Sequence, residues 1–356
     1  MKLIMLLMLS LFYLTASASP SVDIGVYYYP GWDQPNDPWQ KIKPFKDREP
    51  LLGWYKEGSA ENTKIQIDWM HQYGINFVIY DWYWDNIHGV NRTHAIDSFS
   101  RLKDTHDIKF TLLWANHTGT PSSLKQFDDI VQYWIDHYFR APGYKKIDGK
   151  PVVFIFSSEL LERDARNFGS NANELLERAR DRAIQEGLPG IYFVGSIKAG
   201  DRFSQEILPL QNYDALSAYN YQLNAAEKLS ERRPSASYKE LSDGYEQAWN
   251  SALSTSKLPY LIPVTSGWDK TPWGGSESPN HDNSSSTPEQ FRLHLESAKS
   301  LITSEPKKTL STVVICCWNE YGEGSYIEPT KKYKFQYLEQ IKNTFKTSDS
   351  SENPSH

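Results

Sequence analysis

Three glutamates stand close together in residues 318–330, WNEYGEGSYIEPT, directly after the apolar run TVVICC at residues 312–317. Cleavage of a glycosidic bond needs one carboxylic acid to protonate the leaving oxygen and a second carboxylate to stabilise or attack the oxocarbenium-like centre. Glu320 and Glu323 fit this requirement, because the glycine on each side of Glu323 lets the loop turn tightly and bring both carboxyl groups together. They are the predicted catalytic pair, and Glu328 is predicted to be structural.

The elements that would position this pair form an alternating pattern of β-rich runs and helical runs. The β-rich runs are residues 24–29, 75–82, 108–115, 151–156, 190–195, 215–219, 260–265 and 312–318. Eight such runs with helical patterns between them predict an α/β protein, a single-domain (β/α)8 TIM barrel with extended loops on its C-terminal face. A doubly wound open sheet is the alternative, but it normally carries a glycine-rich phosphate turn, and no G-x-G-x-x-G pattern follows any of the runs.

The C-terminal ends of the strands form the active face of such a barrel. Aromatic side chains there can stack against sugar rings, while amides and carboxylates can bind hydroxyl groups. The predicted substrate-binding residues are Tyr28, Tyr29, Trp32, Asp81, Trp82, Trp84, Asn116, Asn220, Trp268, Asp269, Trp318, Tyr321 and Tyr326. Asp81 is also a candidate nucleophile in place of the glutamate pair, with a structural ion pair as the other reading. The long loops at residues 30–61 and 267–286 are expected to wall the cleft.

The amino-acid composition of the chain limits the classes of partner that it is expected to bind. Aromatic residues make up 14% of the chain, which suits a protein that binds the flat faces of sugars. A formal net charge of −6 offers no basic footprint for nucleic acid. The histidines His88, His94 and His117 match no metal-ligand spacing, so neither a metal nor a cofactor is expected. The predicted partner is a polysaccharide or oligosaccharide substrate, without nucleic acid or membrane.

The two ends of the chain differ from its middle. A lysine, an apolar run and then small residues make residues 1–18 typical of a cleavable export signal. The expected organisation is a signal peptide at 1–18, a catalytic barrel at 19–346 and a disordered tail at 347–356. With no cysteine near the cleavage point, a lipid anchor is not expected, and the protein is predicted to be secreted or periplasmic.

The only cysteines, Cys316 and Cys317, are neighbours in an apolar strand. Their expected Cα spacing of about 3.8 Å is shorter than an ordinary disulfide requires. We therefore expect two buried free thiols, with a disulfide between the neighbours as the less favoured alternative.

The strand-eight motif resembles a family signature. WNEYGEGSYIEP is similar to the W-N-E-W-x-E-G-x-x-I/L-E-P signature of family 99 glycoside hydrolases and the related WbsX-like proteins, the latter often described as glycosyltransferases. The stretches YYYPGW, FVIYDWYW and GWDKTPW support the resemblance, which extends over about residues 23–345. The motif has Tyr321-Gly322 where family 99 commonly has Trp-His, which places the chain nearer to the WbsX-like branch.

The resemblance implies a (β/α)8 barrel that acts on a polysaccharide with retention of configuration. By this resemblance, Glu320 is the base for the sugar 2-hydroxyl, giving an anhydro-sugar intermediate, and Glu323 is the general acid and base. Two alternatives stay open: a non-catalytic carbohydrate-binding barrel, and a glycosyltransferase of the WbsX-like type. A serine hydrolase is disfavoured, because no G-x-S-x-G elbow follows any strand.

Overall fold

Eight parallel strands form a closed sheet in the computed structural model, which describes residues 22–199, 207–221 and 233–346. The strands are, in chain order, Asp23–Tyr28, Phe77–Asp85, Lys109–Trp114, Lys150–Ile155, Tyr192–Ser196, Ala215–Ser217, Ile262–Thr265 and Thr312–Cys316. The first six strands pair with their neighbours in sequence, the seventh pairs with the eighth, and the eighth pairs with the first. An isolated parallel bridge from Leu216, in the sixth strand, to Tyr260, just before the seventh, closes the barrel. The predicted barrel is confirmed.

Helices alternate with these strands along the chain. They span Trp39–Ile42, Ala60–Gln72, His94–Arg101, Leu124–Trp134, Ser158–Asn167, Ala172–Gln185, Tyr238–Thr255, Pro288–Ser304, Pro306–Thr309 and Gln336–Phe345. The helix that begins at Pro288 has the capping box that its sequence predicts. The side chain of Thr287 accepts from the backbone N–H of Gln290, and the Gln290 side chain accepts from the Thr287 backbone. Two unsatisfied backbone donors at the helix start thereby gain partners.

The loops between the barrel strands and the helices contain short strands and 3₁₀ turns. The additional strands are Gly89–Asn91, Lys146–Ile147, Gly267–Trp268, Ser284–Ser285, Asn319–Glu320 and Ser325–Tyr326, and the short 3₁₀ turns are Lys46–Arg48, Leu208–Leu210, Thr271–Trp273 and Pro279–Asn283. Several of these elements follow the C-terminal ends of barrel strands. They therefore shape the face where the sequence places the candidate site.

The core has two layers, because successive side chains of a strand point to opposite faces of the sheet. Tyr27, Ile79 and Phe154 belong to an inner cluster built from residues on or beside the strands. Tyr28 and Val78 belong to an outer cluster that also contains the apolar faces of the helices. The position of a residue along its strand thus decides whether its side chain faces the barrel axis or the helices.

The expectation of free thiols in the eighth strand is wrong. Cys316 and Cys317 form a disulfide, and both are fully buried in the inner cluster. The expectation rested on Cα spacing alone, and the Cα atoms of this bonded pair are only 3.0 Å apart, so a short spacing does not exclude a disulfide between neighbours.

The predictions for the chain ends, a signal peptide at 1–18 and a tail at 347–356, lie outside the described residues. Within the described ranges, no helix is long and apolar enough to cross a membrane.

Candidate active site

A cavity of about 840 Å³ lies at the C-terminal mouth of the barrel. It is lined by Tyr29, Asp81, Tyr83, Arg92, Ala115, His117, Phe156, Ser157, Glu159, Leu160, Ser196, Ile197, Lys198, Ala199, Tyr219, Asn220, Tyr221, Trp273, Glu320 and Glu323. These residues lie at the ends of barrel strands, in the loops that follow them or, for Glu159 and Leu160, in the first turn of the helix after the fourth strand. The cavity combines aromatic rings with carboxyl groups, which is the composition expected of a carbohydrate site.

Glu320 is held at this mouth by the residue that precedes it. The Asn319 amide accepts a hydrogen bond from the Tyr29 backbone N–H at 2.9 Å and donates to the Tyr29 carbonyl at 3.0 Å. Trp32 Nε1 donates to the Asn319 carbonyl at 3.0 Å. Asn319 and Glu320 also pair in antiparallel fashion with residues 325–326. The chain after the eighth strand is thereby tied to the end of the first, which fixes the Glu320 backbone.

Glu323 lies on a tight turn that brings it to the same cavity as Glu320. Its backbone N–H donates to the Glu320 carbonyl at 3.2 Å, and its carbonyl accepts from the Asp269 N–H at 2.7 Å. Gly324 has φ +72°, and a Cβ there would lie 2.6 Å from the Asp269 nitrogen. Only glycine can adopt this positive φ and also leave room for the Asp269 backbone without strain.

Gly322 leaves room for an aromatic ring from the loop after the seventh strand. A Cβ at Gly322 would lie 1.8 Å from Trp273 Nε1, so the indole packs directly on the backbone. Trp273 in turn stacks on Trp32, with ring centroids 6.0 Å apart and an interplanar angle of 12°. The absence of a histidine side chain at this position therefore has a physical reason: the Trp273 ring occupies its space.

Burial shifts three carboxyl groups of the cavity, those of Asp81, Glu320 and Glu323, toward their neutral forms. It raises the pKa of Glu323 to about 7, an effect opposed by the positive charge of Lys270. Burial, followed by repulsion from Glu323 and Asp81, raises the pKa of Glu320 well above its usual range. Burial likewise raises the pKa of Asp81, although a hydrogen bond from Tyr219 opposes the shift. Such shifts prepare one carboxyl group to act as an acid near neutral pH.

The structure brings together five of the predicted site residues. Tyr29, Asp81, Asn220, Glu320 and Glu323 line the cavity. The remaining ones lie outside its lining: Tyr28, Trp32, Trp82, Trp84, Asn116, Trp268, Asp269, Trp318, Tyr321 and Tyr326.

Strand alternation turns three of these residues away from the barrel axis. Tyr28 is buried in the outer cluster, where its hydroxyl donates to Gln66 Oε1 at 3.3 Å. Trp82 is also buried there and meets the edge of Trp134. Trp84 packs against that outer cluster as well. Their neighbours of opposite parity, such as Tyr29 and Asp81, point inward.

Two more of the predicted site residues, Asn116 and Asp269, lie outside the cavity lining because their side chains bind polar groups of the protein itself. Asn116 is fully buried, and its amide donates to the Ser157 carbonyl at 2.8 Å and accepts from the Ser157 N–H at 2.9 Å. The Asp269 carboxylate forms an ion pair with Arg48, which also donates to the Tyr321 carbonyl at 2.6 Å. Both side chains therefore hold loops of the barrel mouth in place.

The other predicted site residues lie outside the cavity lining because their side chains pack against aromatic or apolar groups. Trp32 and Tyr321 belong to a small aromatic core built largely from the first loop, and Tyr326 packs against it. Trp318 is fully buried in the outer cluster, and Trp268 stacks on His281 with centroids 5.4 Å apart. The first loop thus supports the cavity from behind, whereas the loop at residues 267–286 contributes Trp273 to its lining.

Glu328 is structural, as predicted. Its carboxylate accepts hydrogen bonds from Gln66 at 2.8 Å, Tyr55 at 2.9 Å and Tyr321 at 2.8 Å. It is buried and links the helix after the first strand to the eighth-strand motif.

Fifteen of the twenty lining residues were missed from the sequence, among them Tyr83, Arg92, Tyr219 and Trp273. Tyr83 could have been found by strand alternation, since it stands two residues after Asp81 and faces the same way. Tyr219 ends the sixth predicted strand and Trp273 lies in GWDKTPW, so both stood in stretches already noted. Arg92 follows the short hairpin at the end of the second strand, and no sequence pattern marks it.

Comparison with known proteins identifies a family for this chain and solved structures with a similar fold. A family model described as glycosyltransferase WbsX matches residues 29–341. A glycoside hydrolase-like protein of known structure has a TM-score of 0.67 and 17% identity, over 92% of this chain and 95% of that chain. The GH99 endo-alpha-mannosidase from Bacteroides thetaiotaomicron has a TM-score of 0.62 and 16% identity, over 90% and 95%. No curated protein matches the chain. At these identities the structural similarity shows a shared barrel fold.

Proposed function

Because this chain belongs to the family described as glycosyltransferase WbsX, we propose that it is a carbohydrate-active enzyme, and specifically a glycoside hydrolase that cleaves a polysaccharide or oligosaccharide. The observation that carries the proposal is the placement of Glu323 beside Glu320 in one cavity, with burial raising the pKa of Glu323 to about 7. A carboxylic acid that is still protonated near neutral pH can donate a proton to the leaving oxygen of a glycoside.

In this proposal the two glutamates act on opposite sides of the reacting bond. Glu320 takes the proton of the sugar 2-hydroxyl while that oxygen bonds to the anomeric carbon, and Glu323 protonates the departing oxygen. In the second half, Glu323 takes a proton from the attacking water, and Glu320 returns its proton to the sugar oxygen. The anomeric carbon is inverted twice, so the configuration is retained.

Transfer from a nucleotide sugar is the reading that the family description suggests. The buried acid favours hydrolysis instead. A protonated Glu323 supplies the proton that a saccharide leaving group needs, whereas a diphosphate leaves as a stable anion without it. A barrel that only binds sugar would have no need of a buried carboxyl group with a pKa near 7.

The proposal includes the compartment in which the enzyme acts. The apolar run and small residues in residues 1–18 support export, so we propose a secreted or periplasmic enzyme. Its substrates would then be polymers outside the cytoplasm.

Release of oligosaccharides from a panel of plant, fungal, bacterial and algal polysaccharides, with α-mannans included, tests the proposal. The purified protein is compared with Glu323→Gln and with Glu277→Gln, an exposed substitution of the same type on the loop after the seventh strand. We expect Glu323→Gln to reduce release about 100-fold or more, as loss of general acid catalysis does, and Glu277→Gln to match the unaltered protein. Binding of a polymer without any release would instead support a sugar-binding barrel.

A further inference from the structure

A single hydroxyl group bridges two carboxyl groups in the cavity. Tyr219 Oη lies 3.1 Å from Asp81 Oδ2 and 3.2 Å from Glu320 Oε1. A phenol carries one hydrogen, so Tyr219 can donate to only one of these oxygens at a time. For the second contact to be a hydrogen bond, the other carboxyl group must itself be protonated and donate to the Tyr219 oxygen. The bridge therefore requires that at least one of the two carboxyl groups is neutral.

We propose that Asp81 is the neutral partner, so that Asp81 donates to Tyr219, Tyr219 donates to Glu320, and Glu320 is held ionised as the base. The choice between the two carboxyl groups rests on the proposed function, since only an ionised Glu320 can take the proton of a sugar hydroxyl. Asp81 and Tyr219 are then positioning residues. A role for Asp81 as nucleophile is incompatible with this arrangement, because a nucleophile must be ionised.

The surroundings of both carboxyl groups agree with one charge between them. Asp81 and Glu320 are only 5% and 6% exposed, and burial disfavours ionisation of each. Arg92 lies close enough to favour the ionised form of both, and it forms no ion pair with a carboxylate in the described ranges. One arginine can balance one carboxylate. The titratable groups that face the pair are Glu323, Arg92, Tyr27, Tyr29, Tyr83 and Tyr219.

The bridge also assigns the two oxygens of Glu320. Oε1 accepts from Tyr219, while Oε2 is without a hydrogen-bond partner among the described residues. Oε2 is thus the oxygen that would receive the proton of the 2-hydroxyl and later return it to the sugar. The proton on Asp81 stays where it is through both halves of the reaction. Its effect is to orient the Tyr219 hydroxyl so that it points at Glu320.

Carboxyl 13C NMR of the full chain labelled at aspartate Cγ, recorded without substrate, tests which group is neutral. Asp81→Asn identifies the Asp81 resonance by its loss, and Asp181→Asn, an exposed position, provides the matched control. We expect the Asp81 resonance at pH 7 in the position of a neutral carboxyl group, and we expect that resonance to be unchanged in Asp181→Asn. An Asp81 resonance in the carboxylate position at pH 7 overturns the proposal. The result does not depend on catalysis, so it stands apart from success or failure of the proposed function.

Kinetics on a cleaved substrate provide the second readout. An asparagine at position 81 can still donate to Tyr219, so Asp81→Asn is expected to lower kcat/KM by less than about tenfold, the size of one altered neutral hydrogen bond. Asp81→Ala removes the donor and is expected to cost about 100-fold. Tyr219→Phe removes the donor to Glu320 and is expected to move the acidic limb of the kcat/KM profile to higher pH. Equal loss in Asp81→Asn and Asp81→Ala, or an unmoved limb in Tyr219→Phe, overturns the proposal.

Discussion

Replacing Glu323 by glutamine is expected to stabilise the protein at alkaline pH, because its buried carboxyl group is costly to ionise. Burial raises the pKa of Glu323 from 4.5 to about 7. A group whose pKa is raised on folding binds its proton more tightly in the native state. Its contribution to stability is therefore complete below pH 4.5 and is lost as the pH rises through 7. A glutamine does not titrate, so the variant escapes this loss.

The size of the effect follows from the pKa difference. The rise in the pKa of Glu323 corresponds to about 3 kcal/mol once ionisation is complete. Integrated over pH, the free energy of unfolding of Glu323→Gln should exceed that of the unaltered protein by about 1 kcal/mol at pH 5 and about 3 kcal/mol at pH 8. Relief of repulsion acts in the same direction, since the charge of Glu323 also raises the pKa of Glu320 and Asp81.

Urea unfolding followed by tryptophan fluorescence at pH 5, 6, 7 and 8 measures this difference. The informative quantity is its growth between pH 5 and pH 8, about 2 kcal/mol, because a pH-independent packing change cancels from it. Glu277→Gln, at an exposed position, should show no such growth. A difference that stays constant with pH, or a variant less stable than the unaltered protein at pH 8 alone, would refute the assignment of Glu323 as a buried acid.

Three other substitutions probe the supports of the site and the core. Arg48→Leu leaves the Asp269 carboxylate without its partner and is expected to lower the free energy of unfolding by about 3–5 kcal/mol in urea; an unchanged value would contradict the role given to this pair. Gly322→Ala puts a methyl group 1.8 Å from Trp273 Nε1 and should displace that ring. We expect oligosaccharide release to fall about 100-fold with an unchanged far-UV circular dichroism spectrum, and normal release would refute the packing argument. Burial lowers the pKa of His294 from 6.5 to about 3. Native stability should therefore fall by up to about 1.4 kcal/mol per pH unit as the pH drops from 6 to 4, and His294→Leu should remove that part of the slope in urea unfolding.

The barrel could be predicted from sequence because its strands carry a strong local signal. Runs such as INFVIYDW are apolar on both faces, since one face packs in the barrel and the other packs on helices. The observed ends of the strands differ from the predicted ones by a few residues, as with Phe77–Asp85, which begins later and runs into a hairpin. The order of the strands then follows from right-handed connections between neighbours.

The site could be predicted only in part, because a sequence motif gives the order of residues but not the direction of their side chains. Asp81 and Trp82 were treated alike, yet their adjacent positions on one strand put them on opposite faces of the sheet. Alternation within the strand would have separated them. Asp269 is a different case, because its partner Arg48 lies in another loop, 221 residues away in sequence. No local pattern connects the two.

The sequence motif does not predict which carboxyl groups of the site are protonated, although their protonation decides the chemistry. The spacing of Glu320 and Glu323 says that two carboxyl groups can meet, but it does not say which of them carries a proton. That depends on Asp81, which comes from the second strand, and on Tyr219, which follows the sixth. Because one phenolic hydrogen lies between two carboxyl groups, at least one of those groups must be neutral for both contacts to be hydrogen bonds. In the proposed mechanism, the base is thus selected by side chains from three separate strand ends, which only the closed sheet brings within hydrogen-bonding distance.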